Sequence, residues 1–181
     1  MNKRDNDGFF PLEIACTNGY FEIVKLLTDN NSDLTLDRNS FTPLHAAAAT
    51  GRYDIVKYLI DTGMNVNKGN YGGYTPVHWA TQERHLHVVK LLVESGANPE
   101  AKDDEGFTPL YIAAAEGYPE LVEYLISKNV DIYVKNEGSA NSTPLNIACI
   151  YEHIETVRVL LHNRADIEVR DNAGSWKNTT F

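Results

Sequence analysis

Pro11, Pro43, Pro76, Pro109 and Pro144 recur at spacings of 32, 33, 33 and 35 residues, and the segments that follow them align without gaps. A period of this size means that the chain is built from copies of one small unit, which cannot bury its apolar faces alone and must stack on its neighbours. Residues 41 to 67, FTPLHAAAATGRYDIVKYLIDTGMNVN, display the unit most clearly. Thr42 is suited to cap a helix beginning at Pro43, where a missing amide donor costs nothing and the fixed φ is already helical. The helix is short and rich in alanine, so neighbouring backbones can approach closely, and Gly51 supplies the left-handed residue that ends it. A second helix is predicted from Tyr53 to Asp61. Its apolar residues Ile55, Val56, Tyr58, Leu59 and Ile60 are too many for one stripe, so it must be covered on more than one side. Gly63 ends that helix.

The helix-starting motif reads TPLHAA, TPVHWA, TPLYIA and TPLNIA in four copies and FPLEIA in the first. By this motif, its period and the helix pattern downstream, the chain resembles the ankyrin repeat family over residues 5 to 170. The resemblance implies an all-α repeat solenoid, a right-handed stack of helix-loop-helix units joined by β-hairpin fingers. The repeats are expected at residues 5–36, 37–69, 70–102, 103–135 and 136–170. Residues 171–181 begin a sixth unit and stop, either as a cap in which Trp176 and Phe181 cover repeat 5 or as the edge of a longer array.

The copies differ at informative places. Repeat 1 has Phe10 at the capping position and Glu13 where His45 and His78 stand in repeats 2 and 3. Repeat 5 carries two extra residues in NEGSANS, so its finger is expected to be longer. Arg84 and Glu152 occupy the loop that Gly51 fills in repeat 2. Asn31, Asn129 and Arg164 stand where Gly63 and Gly96 end the second helices. Asparagine tolerates the left-handed conformation at modest cost, whereas arginine there is strained.

The formal charge of −9, with 16 Lys and Arg scattered among 25 acids, argues against nucleic acid as a partner, because phosphate binding needs a basic patch. No run of residues approaches the length of a membrane span, and MNKRDNDG lacks the apolar core of a secretory signal, so cytoplasm or nucleus is expected. Cys16 and Cys149 lie four units apart and cannot pair, and both are expected to be buried small apolar residues. No cofactor or metal is expected. His85 and His87 are two residues apart and point to different helix faces, and no carboxylate or cysteine completes a shell around them. Nothing resembles a nucleophile with its base, and NYGGYTP is glycine-rich only to make a tight turn. The chain is therefore not expected to be an enzyme.

The expected function is that of a scaffold or adaptor binding a partner protein on the concave side; the alternative is a spacer or regulatory segment of a larger repeat protein. By the family resemblance, the concave side is built from the finger tips and the outer face of each first helix. The expected contact residues are Phe9, Phe41, Thr50, Tyr71, Tyr74, Gln82, Glu83, Phe107, Tyr111, Glu116 and Tyr151. Phe41, Tyr74 and Phe107 would stand in a row, one per finger. They would either meet the partner or pack between fingers, and the neighbouring acids favour a partner with a basic or aromatic contact surface. The same resemblance gives His45 and His78 a structural role, tying each helix start to a finger, and makes His85 and His153 structural loop histidines. The chain is expected to be a monomer.

Overall fold

The structure is a computed structural model that describes residues 10–30, 40–137 and 141–168. Ten helices lie among these residues, in five pairs: α1 (Pro11–Asn18) with α2 (Phe21–Asp29), α3 (Pro43–Ala49) with α4 (Tyr53–Asp61), α5 (Pro76–Gln82) with α6 (Leu86–Glu94), α7 (Pro109–Ala115) with α8 (Pro119–Ile126), and α9 (Pro144–Ile150) with α10 (Ile154–His162). Every first helix starts at the proline that marks the period. Phe9, Asn31 and the partial sixth unit at 171–181 fall outside the described residues.

The capping residues act as their chemistry suggests. The Thr42 and Thr75 side chains close capping boxes with His45 and His78, while the Thr108 and Thr143 hydroxyls accept the N–H groups of Tyr111 and Asn146 at 3.2 and 3.3 Å. Phe10 makes no side-chain cap, as its apolar ring requires. The first helices form one layer and the second helices another. Ala46, Ala47, Ala48, Ala80, Ala113 and Ala114 are buried between first helices, together with Leu44, Val77 and Leu110. These small side chains let α1, α3, α5, α7 and α9 pack more closely than the second helices do. A stack compressed on one layer and splayed on the other must bend, which puts the first helices on the concave side. The second helices contribute Val24, Ile55, Val56, Leu59, Val88, Leu92, Leu121, Leu125 and Leu160 to the same continuous core.

The fingers depart from the expected β-hairpins. Among the described residues no β-strand forms, and the fingers of repeats 3 and 4 are tight turns closed by one or two backbone bonds. Asn70 donates to the Tyr74 carbonyl at 2.8 Å and Asp103 to that of Phe107 at 3.1 Å, with Gly73 and Gly106 returning to Asn70 and Asp103. The outward edges of these turns bond to the next finger instead of extending a ladder: Asp104 donates to Gly72 and Glu137 to Glu105, both at 3.0 Å. In repeat 5 the same closing bond runs from Asn136 to Ser142 at 3.2 Å, spanning two residues more than in repeat 4. The added residues therefore lengthen the finger without changing how it closes.

The cysteines differ from one another. Cys16 is buried, and burial, assisted by the nearby Glu13 carboxylate, pushes its thiol up to about 12. Cys149 is exposed, contrary to expectation, because no helix of the described residues packs beyond α9.

The left-handed positions explain why some glycines are replaceable. Gly51 and Gly117 have φ of 68° and 70°, and a Cβ on either would lie 2.6 or 2.5 Å from the ring of His85 or His153 in the following repeat. Arg84 adopts φ 59° at the same place, where the following repeat supplies Tyr118, and the Arg84 guanidinium lies 5.3 Å from that ring's centroid. Arg164 has φ 66°, whereas its counterparts Gly63 and Gly96 have nothing within 4 Å of a built Cβ. Glycine is favoured at these helix ends by φ alone. Arg164→Gly should therefore raise the stability to urea by up to about 1 kcal/mol, and Gly117→Ala should lower it by more than that. A loss with the first substitution, or no loss with the second, in equilibrium denaturation would contradict this account of the loops.

Candidate protein-binding face

What can be displayed on the concave side depends on what the joints between repeats consume. In repeat 2 the Thr42 N–H donates to His45 Nδ1 at 3.0 Å, so Nε2 carries the ring proton and donates to the Tyr74 carbonyl at 3.1 Å in the finger of repeat 3. His78 does the same between Thr75 and the Phe107 carbonyl, at 3.1 Å to each. In repeat 4 the Tyr111 hydroxyl, buried like the histidines, meets Ser142 Oγ at 3.1 Å. The structural role expected for His45 and His78 is therefore present in the geometry. Tyr111, expected among the contacts, is part of a joint: its hydroxyl is used internally and its ring is covered.

A second set of bonds runs the opposite way. Arg52 Nε, His85 Nε2, Tyr118 OH and His153 Nε2 approach the carbonyls of Thr17, Ala49, Gln82 and Ala115 at 3.2, 3.2, 3.3 and 2.8 Å. These four carbonyls occupy equivalent places in the last turn of successive first helices, where backbone acceptors lack an intrahelical donor. Each repeat thus caps the helix before it. His85 and His153 were legible as structural loop residues, whereas Arg52 and Tyr118 share with them only a donor of sufficient reach. A third row lies beyond the second helices: Asn67 bonds to both Gly96 O and Asn98 N, Glu100 accepts from Asp131 N, and the Tyr133 hydroxyl donates to Arg164 O at 2.9 Å. The recess of about 280 Å³ lined by Glu100, Lys102, Thr108 and Asp131 belongs to this joint, since Glu100 is already engaged.

With the joints accounted for, the concave side is left with the fingers and the ends of the first helices. Phe41, Tyr74 and Phe107 are half-buried, each lying over the joint residue of its own repeat, with ring centroids 5.4, 5.2 and 4.9 Å from His45, His78 and Tyr111. Trp79, which sequence reasoning did not single out, meets Phe41 and Tyr74 edge-on at 5.4 and 5.6 Å and joins two fingers. Its place in the motif is held by Ile14, Ala46, Ile112 and Ile147 in the other copies, and that contrast was the available signal. The aromatic row therefore packs within the protein while presenting one side outward. Thr50 and Gln82 are half-buried, and Glu83 and Glu116 are exposed. Tyr71 at the tip of its finger is 87% exposed and Tyr151 is 58% exposed.

Acidic groups dominate the electrostatics around these rings. Burial raises the Tyr74 pKa, and Asp103, Glu105 and Glu116 add to the rise. Burial likewise raises that of Tyr118, with Glu116 and Glu83 contributing and Arg84 opposing. Arg84 also pairs with Glu120 at 3.6 Å on the loop side. Among the described residues no cation pairs with Glu83, Glu105 or Glu116. None of the described residues forms a group of His, Cys, Asp and Glu that could hold a metal ion, and no described helix is long and apolar enough to cross a membrane.

Helix pairs stacked through buried histidines and finger carbonyls define a repeat scaffold whose exposed side carries the variation. A model of ankyrin repeats matches the chain in three overlapping copies, at residues 12–103, 67–136 and 98–171. The chain belongs to the ankyrin repeat family, whose members generally serve as protein–protein interaction modules and are typically not enzymes. No curated protein matches it.

The buried histidine makes the stack sensitive to acid. Burial lowers the His78 pKa below its ordinary value of 6.5, outweighing the bond to the Phe107 carbonyl and the Asp103 carboxylate, which act to raise it. The folded chain thus binds fewer protons than the unfolded chain, so the contribution is complete above the unfolded value and is lost as the pH falls below it. The drop in urea midpoint between about pH 7.5 and about pH 5 should be smaller for His78→Asn, which places here the residue used in repeat 5, than for the wild type. Equal drops would mean that His78 does not titrate differently on unfolding.

Proposed function

We propose that this chain is a scaffold or adaptor, not an enzyme, that acts as a monomer in the cytoplasm or nucleus and binds a partner protein along its concave side. The reading rests on one observation: the side chains beneath that side are consumed by equivalent bonds in the joints described, while the exposed positions above them carry different residues from repeat to repeat. A surface that varies over an invariant frame can be matched to one partner without altering the stack. The proposed contacts are Tyr71, Glu83, Glu116 and Tyr151, flanked by Thr50 and Gln82, with the outward sides of Phe41, Tyr74 and Phe107 between them. Large rings held in place by their own joints offer contact area at little entropic cost. The partner is expected to present basic or aromatic groups to them.

Affinity capture followed by quantitative mass spectrometry tests this reading with variants chosen for exposure. Tyr71→Ser combined with Tyr151→Ser should reduce recovery of the wild-type partner by about tenfold or more without lowering the melting temperature. Asp54→Ser with Lys57→Ser, on the opposite helix layer, should leave recovery unchanged. Equal recovery by both double variants would place the interface elsewhere.

A further inference from the structure

The centre of the concave side, at the junction of repeats 3 and 4, combines features that select one kind of ligand group. Tyr74 and Trp79 form an edge-to-face pair with centroids 5.6 Å apart, and Phe107 stands on the next finger over Tyr111. Around these rings Glu83 and Glu116 sit at the ends of α5 and α7, and Asp104 and Glu105 form the tip of the repeat 4 finger, all four exposed. The acids reach the rings electrostatically, since Glu105 and Glu116 both act on the Tyr74 hydroxyl and Glu83 and Glu116 on that of Tyr118. Two cations of these repeats are engaged elsewhere: Arg84 pairs with Glu120 and stacks over Tyr118, and Lys102 pairs with Glu137 at 3.2 Å.

The two fingers are also held rigidly side by side. Asp104 donates to the Gly72 carbonyl, and a Cβ on Gly73 would lie 2.8 Å from the Asp104 amide nitrogen. The Tyr74 ring and the finger tip that carries Glu105 are therefore set in a fixed relation, which lowers the ordering cost to be met on binding. Exposed carboxylates left without counter-charges beside aromatic faces suit a long cationic side chain, whose methylenes can lie on the rings while its head group meets the acids.

We propose that the junction of repeats 3 and 4 is a cation subsite, formed by Tyr74, Trp79, Glu83, Glu105 and Glu116, that receives a Lys or Arg side chain from an extended basic segment of the partner protein. This rests on the concave-face reading and narrows it to one position and one chemistry. Arginine is the better occupant, because its planar guanidinium can stack on a ring and bond a carboxylate together.

Fluorescein-labelled octa-arginine serves as the probe for the full chain, with a Gly-Ser peptide of equal length as control, and binding is read by fluorescence anisotropy at about 50 and about 200 mM salt. Glu83→Gln, Glu105→Gln and Glu116→Gln together should weaken binding by about tenfold or more. The combination Asp54→Asn, Asp61→Asn and Glu94→Gln on the second helices removes the same charge and should weaken it by no more than about threefold. Tyr74→Leu, checked for folding by its melting curve, should weaken binding while leaving the salt dependence unchanged. Equal weakening by the two triple variants would show that only the overall charge attracts the probe, and would overturn the subsite. So would failure of the wild type to prefer octa-arginine over the control. If the concave triple variant still captures the natural partner fully while Tyr71→Ser with Tyr151→Ser does not, the subsite fails and the concave-face reading stands.

Discussion

The structure depends on a donor that each repeat lends to its neighbour. The first helix of a repeat is too short to stand alone, and its last carbonyls and the finger beside it both need partners. His45, His78 and Tyr111 reach forward to the next finger, while Arg52, His85, Tyr118 and His153 reach back to the helix before. Each such bond contributes only about 1 kcal/mol net, but a buried acceptor left without one costs more. The joints are therefore where the stack is stable and where it is vulnerable, and apolar burial between alanine-rich helices supplies the rest.

Much of this was legible in the sequence because a few residues act through local chemistry alone. The Thr-Pro pair sets where every first helix begins, and alignment of the copies placed Arg84, Asn129, Glu152 and Arg164 at left-handed positions, which all four occupy. The β-hairpins expected of the fingers are not seen in repeats 3 and 4, where a finger with room for one closing pair has no length for a ladder and its free edge bonds the adjacent finger. The backward ladder was only half visible, because arginine, histidine and tyrosine have nothing in common except a donor at the right distance.

The candidate site was harder to read for a related reason. Sequence position says which residues share a row but not how deeply each is set. Tyr111 lay in the expected row yet is covered, because in repeat 4 it does the work that histidine does in repeats 2 and 3. Trp79 lay outside the row yet ties Phe41 to Tyr74, because its indole spans two fingers where alanine or isoleucine cannot. The exposure of Cys149 follows from its place on the last helix pair described, whereas Tyr151 stands at a position that is exposed in repeats 1, 3 and 4 as well, at Asn18, Glu83 and Glu116.

If neighbour contacts carry the fold, stability must accumulate repeat by repeat, with no closed core to lose. Residues 1 to 135 retain four helix pairs and every joint among them. Circular dichroism of this truncated chain should show a helical signal close to that of four pairs and a melting temperature below that of the whole protein. Loss of nearly all helical signal would contradict the account, because it would mean that the last repeat completes a single cooperative globule rather than extending a stack.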